Sequence, residues 1–143
     1  ANEMYYTMAE SGYYILSQNL KVMRSVADKP EGMCLIEGVL PGVNTVGQKY
    51  KTDSEEQTAA LYALIEALDA SGIEPVTAID IQNTYDIKFA YDARLIITLG
   101  TNLELSYKLE FVANVIYSNL SADAHGTIDA SVPGKCVYNP KWG

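Results

Sequence analysis

The sequence predicts an α+β domain: a mostly antiparallel sheet with two helices packed on one face. Three observations carry this expectation. Short segments rich in β-branched and aromatic residues recur along the chain, separated by brief turns of Gly, Asn and Asp. Two longer segments, near residues 52–72 and 103–120, instead carry apolar residues at helical spacing. Their order is strands, helix, three strands, helix, and one or two strands, which lets both helices cover the same side of one sheet.

Residues 1–12 are mixed in character and end in a turn at Ser11-Gly12. "YYIL" (Tyr13–Leu16) and "KVMRSV" (Lys21–Val26) read as strands of a hairpin joined through Ser17-Gln18-Asn19. "DKPEG" is a turn, and "MCLIEG" (Met33–Gly38) a third strand. Glycine and proline punctuate residues 39–51, which predicts an ordered loop. The clearest helix follows. Thr52, Asp53 and Ser54 offer a cap, and Glu55 and Glu56 suit the positive end of the helix dipole. Leu61, Leu64, Ile65 and Leu68 form its apolar stripe, and Gly72 supplies the stop. Next come Val76–Gln82, Tyr85–Tyr91 and Arg94–Gly100. Their turns are short enough to predict an antiparallel meander, with Tyr85, Ile87 and Phe89 on one face. A second helix is expected over Leu103–Leu120, capped by Asn102, with Leu105, Leu109, Val112, Val115, Ile116 and Leu120 inward. After a loop over 121–126, "GTIDASVPGKCVYNP" reads as two short strands around Pro133-Gly134. Trp142 is either an ordered plug or a frayed end.

A chain of 143 residues, 48% apolar and 20% charged, suits one packed domain spanning 1–143. It contains no run of 18 apolar residues and no recognisable signal peptide. A net charge of −8 argues against nucleic acid, which needs clustered cations, and against adsorption to anionic lipid. The eleven tyrosines suit half-buried strands and wet protein contacts. Cys34 and Cys136 admit a disulfide in an oxidising compartment, yet each sits in apolar, strand-like sequence that suits two separate buried thiols.

Catalytic chemistry finds little to use. One histidine and no CxxC leave a zinc site without ligands, and no cofactor motif is present. His125 lies in a loop without a nucleophile elbow and reads as solvated. Asp80, Asp86, Asp92 and Asp129 include candidates for a carboxylate pair. Asp80 and Asp129 would meet only if their strands were neighbours, and a solvent-facing acid is the simpler reading. "LPGVNTVGQK" lacks the spacing of a phosphate loop.

The succession "YYILSQNLKVM", "CLIEGVLPG..VGQKY", "RLIITLGTNLELSYKLEFVANVI" and "GTIDASVPGKCVYNP" resembles the C-terminal β domain of the FtsQ/DivIB family of bacterial cell-division proteins. Leu99-Gly100, Lys108-Leu109, and Ile128-Asp129 within Gly126–Ser131 carry the resemblance, which runs over roughly residues 10 to 140. It implies a non-enzymatic scaffold without cofactor or metal, at the extracytoplasmic face of the cytoplasmic membrane at the division septum. Family members carry a cytoplasmic tail, one membrane helix and a POTRA domain before this one, so the chain is expected to be an excised piece that meets the membrane only through those parts. Its partners would be FtsB/DivIC-like and FtsL-like proteins, one of which adds a strand to the last strand of the domain. By segment, the expected contacts are Thr127, Ile128, Asp129, Ala130, Ser131 and Val132, then Lys135, Cys136, Val137 and Tyr138. A terminal strand with unpaired amides and carbonyls suits that role on physical grounds. Two alternatives stand beside it. One is an extracytoplasmic ligand-binding or hydrolytic α+β domain, the other a structural domain that polymerises through the same edge.

Overall fold

The computed structural model describes residues 2–141. Nine strands form one sheet: β1 (Glu3–Met8), β2 (Tyr13–Ser17), β3 (Val22–Val26), β4 (Cys34–Glu37), β5 (Val76–Asp80), β6 (Ile87–Tyr91), β7 (Leu95–Gly100), β8 (Gly126–Asp129) and β9 (Val137–Asn139). Their spatial order is β3-β2-β1-β4-β5-β6-β7-β8-β9. Two helices join it, α1 (Glu55–Ser71) and α2 (Leu105–Asn114), the latter running on as a π-helical turn over Val115–Asn119. Trp142 lies outside the described residues.

The α+β class holds, but the sheet is mixed rather than mostly antiparallel. Of its eight junctions, β1–β4, β4–β5 and β7–β8 are parallel. For β4–β5 and β7–β8 the cause is a helical crossover. A helix between two neighbouring strands returns the chain to the end where the first strand began, so β4-α1-β5 and β7-α2-β8 must each run parallel. The β2–β3 hairpin and the β5-β6-β7 meander are antiparallel, as their short turns require.

Other differences are local. Residues 3–8 are a strand, not an undefined lead-in; Tyr5 and Thr7 point into the helix-covered side and are buried. Tyr85 is exposed, because β6 begins only at Ile87 and Tyr85 belongs to the turn closed by Asp86 N–H donating to Asn83 O (2.9 Å). Asn102 does not cap α2. That helix starts from Glu104 in the left-handed region (φ 53°) with no side-chain cap.

The α1 expectations are met. Ser54 Oγ accepts from Gln57 N–H (3.2 Å), and Gly72 ends the helix at φ 73°. Leu61, Leu64, Ile65 and Leu68 join Ile36, Ile79, Phe89, Ile97 and Ile128 of the sheet, and Leu105, Leu109, Val112 and Ile116 after β7, in one core. Lys108 is buried within this layer. Its ammonium donates to the carbonyls of Leu99 (2.8 Å) and Thr101 (3.1 Å), tying α2 to the end of β7. The two dipeptides Leu99-Gly100 and Lys108-Leu109 are therefore physically joined.

The two borders of the sheet differ. At β3, the chain bonds to the start of the edge strand: Gly47 N–H donates to Val22 O (2.8 Å), Val22 N–H to Gln48 O (2.9 Å), and, just before the strand, Tyr50 N–H to Leu20 O (2.8 Å). At the other border stands β9, with no described strand beyond it.

Candidate partner-binding edge

Gly126 opens β8 with φ 133°, and any Cβ there would run into the Asn139 carbonyl. Glycine is thus required for β9 to lie this close to β8. Ile128 is fully buried in the core, and Ala130 nearly so. Asp129 turns outward at the end of β8. Its Oδ1 accepts from Ser131 N–H (2.9 Å) and Oγ–H (2.6 Å), closing the strand. Those bonds, aided by Lys135, hold its carboxyl below the usual range. Residues 132–136 then reverse the chain, with Lys135 N–H donating to Val132 O (3.0 Å) and Gly134 beside the Tyr107 ring.

β9 pairs antiparallel with β8 through Asp129–Val137, Ile128–Tyr138 and Thr127–Asn139. Tyr138 is half-buried against the core, and its hydroxyl donates to His125 O (2.6 Å). That bond pins β9 to the loop before β8. Val137 is 50% exposed on the opposite face. Cys136 is half-buried, and burial followed by the Asp129 charge pushes its thiol pKa up.

The segments singled out in the sequence thus occupy different positions. Thr127, Ile128 and Asp129 do not form a free edge: β8 is hydrogen-bonded to β7 on one side and β9 on the other. Ala130, Ser131 and Val132 leave the sheet; Ala130 N–H still donates to Thr98 O (2.8 Å). Lys135 and Cys136 lead into β9. The free side belongs to β9: Gly126 and Ala130 turn their N–H groups to β7, so Thr127 and Asp129 face Asn139 and Val137, and Tyr138 is the residue whose backbone N–H and C=O point outward. Asn139 was not among the expected residues, since a polar residue before proline gives little strand signal.

The other chemical candidates do not converge. β5 and β8 are separated by β6 and β7, so Asp80 and Asp129 form no pair. Asp80 instead sits in register with Glu37 of β4, and burial with the Asp80 charge raises the Glu37 pKa. Cys34 and Cys136 are free thiols; burial drives that of Cys34 up to about 12. His125 is exposed at the head of β8. A cleft of about 580 Å³ opens between the starts of β1, β4 and β5 and the end of α1, lined by Tyr5, Cys34, Leu68 and Val76 among others, and none of Asp80, Asp129 or His125 borders it. No protein-family model matches the chain, and no curated protein sequence matches it.

Proposed function

We propose that this chain is a non-enzymatic scaffold domain of the bacterial divisome, working at the extracytoplasmic face of the cytoplasmic membrane at the septum. It takes up a strand from an FtsB/DivIC-like partner, with an FtsL-like protein in the same assembly. The observation that carries this reading is the open side of β9, at the end of a sheet whose opposite border is tied at its first residue, Val22, by its own loop. An extended segment docked there would satisfy backbone groups of β9, and the exposed Val137 would meet its side chains. The order of motifs that resembles the FtsQ/DivIB β domain supplies the partner class.

The test is binding of an FtsB/DivIC-like extracytoplasmic peptide, expected at about micromolar affinity or tighter. Val137→Pro removes the donor that bonds β9 to Asp129 of β8, so it should loosen the edge strand and weaken binding by at least about tenfold. Tyr138→Ala unpins β9 from His125 O and should also weaken it. Ile128→Pro is a poor probe, because Ile128 belongs to the core. Parent-like binding by both Val137→Pro and Tyr138→Ala would remove β9 as the site.

A further inference from the structure

The loop that bonds to the start of β3 exposes three large aliphatic side chains: Val43 at 93%, Val46 at 61% and Leu40 at 58%. It is not a slack segment. Asn44 clamps it, donating from Nδ2 to Lys51 O (2.8 Å) and Gly42 O (3.3 Å) and accepting from Lys51 N–H at Oδ1 (2.7 Å). Gly42 N–H donates to Lys51 O (2.9 Å), and the fully buried Tyr50 anchors the base. One exposed valine is ordinary, but three aliphatics within seven residues of a fixed loop form a patch that folding does not require.

The loop that carries this patch is richer in cations than the rest of the molecule. Residues 38–52 hold Lys49 and Lys51 and no acid, in a chain with 18 acids and a net charge of −8. Lys21 lies directly across the β-bridge from Lys49. Lys49 also rests over the Tyr62 ring (5.4 Å), while Lys21 and Lys51 are exposed to solvent. Asp53 borders the patch, and Glu66 and Asp69 line the cleft that Lys49 shares. A net charge of −8 opposes adsorption only if all charges are felt together. At physiological ionic strength the screening length is about 8 Å, so a surface touching this loop senses the lysines far more than acids on the rest of the sheet.

We propose that Leu40, Val43 and Val46 form a shallow tip that enters the headgroup region of an anionic bilayer, with Lys21, Lys49 and Lys51 meeting lipid phosphates. An apolar tip with a cationic surround fits the amphipathic boundary of such a membrane. The proposal does not depend on the role of β9, which lies at the far border of the sheet.

Co-sedimentation of the 143-residue chain with phosphatidylcholine vesicles, with and without phosphatidylglycerol, tests it. The chain should bind the anionic vesicles at least about tenfold better than the neutral ones, and less well at high salt. Val43→Asp/Val46→Asp and, separately, Lys21→Glu/Lys51→Glu should each lower binding by at least about tenfold. All four positions are exposed, and thermal melts matching the parent would confirm that the fold survives. Val43→Trp, made together with Trp142→Phe so that emission comes from position 43 alone, should show a blue shift on anionic vesicles only. Absence of binding to either vesicle type would overturn the proposal, as would equal binding by the Val43→Asp/Val46→Asp variant. Inert vesicles together with self-association that this variant abolishes would assign the tip to a second copy of the chain and also overturn it.

Discussion

Tyr50 is fully buried, and among the described residues its hydroxyl makes no hydrogen bond of ordinary geometry. The neighbouring Thr7 has its own hydroxyl committed to Ile36 O at 2.8 Å. A buried donor left unmet costs stability, so removing it should not harm the fold. Tyr50→Phe is therefore expected to leave the urea midpoint unchanged or raise stability by up to about 1 kcal/mol. Burial also pushes the pKa of Tyr50 up to about 12, and that of Tyr5 likewise. A raised tyrosine pKa means that the folded state holds its proton more tightly than the unfolded state, whose value is near 10. The associated stability is complete below about pH 10 and is lost as pH rises toward 12. Tyr50→Phe should therefore unfold less readily than the parent across that window, while Tyr5 still drives part of the loss. A destabilised variant at pH 7, or an unchanged alkaline limb, would refute this account. The buried tyrosines illustrate what single positions disclose in advance. Leu61, Leu64, Ile65 and Leu68 were legible as core because their spacing repeats. Tyr5 and Tyr50 were not, since tyrosine suits surfaces and interiors alike and only the neighbouring elements decide.

Gly126 sets the placement of an entire strand. Its φ of 133° and the close Asn139 carbonyl leave no room for a side chain, so Gly126→Ala should push β9 away from β8 while Ile128 remains in the core. The expected cost is about 1–3 kcal/mol, with faster amide exchange confined largely to 137–139. Parent-like exchange at β9 would show that the contact yields without moving the strand. Elements differ in how far the sequence announces them. The β5-β6-β7 meander and the last strand pair were readable because short turns fix antiparallel neighbours. α1 was readable from its cap, stripe and Gly72 stop together. The parallel junctions were not, since β1 meets β4 across a separation of more than twenty residues, set by the packing of the whole sheet rather than by a turn. β1 itself was hidden because "EMYYTM" buries three consecutive residues, Tyr5, Tyr6 and Thr7, and so shows no alternation. The same limit applies to the candidate edge. The last two strands were visible in the sequence, but only the sheet order reveals that Thr127–Asp129 are enclosed and Val137–Asn139 are not.

Across the whole molecule, the two sheet borders have been treated differently. Unpaired edges invite uncontrolled pairing, and the 39–51 loop shortens the open edge at β3 by bonding to Leu20 and Val22. β9 has only three residues, a length that by itself limits indiscriminate addition while leaving room for a partner that brings further contacts. With strands spaced by about 4.8 Å, the eight intervals place β9 roughly 38 Å from β3. If the aliphatic tip rests on a bilayer, the open edge is held well clear of the lipid, where a membrane-anchored partner can reach it with an extended segment. Both contacts can then be made at once, and hydrogen exchange separates them. Saturating FtsB/DivIC-like peptide should slow the outward amide of Tyr138 by at least about tenfold and leave those of Val22–Val26 unchanged, because strand addition protects only the edge that is extended. Anionic vesicles should do the reverse, slowing exchange within 40–51 and sparing β9. Peptide protection that appears at β3, or that spreads evenly over both borders, would contradict a partner strand seated on β9 and would return the search to the rest of the surface.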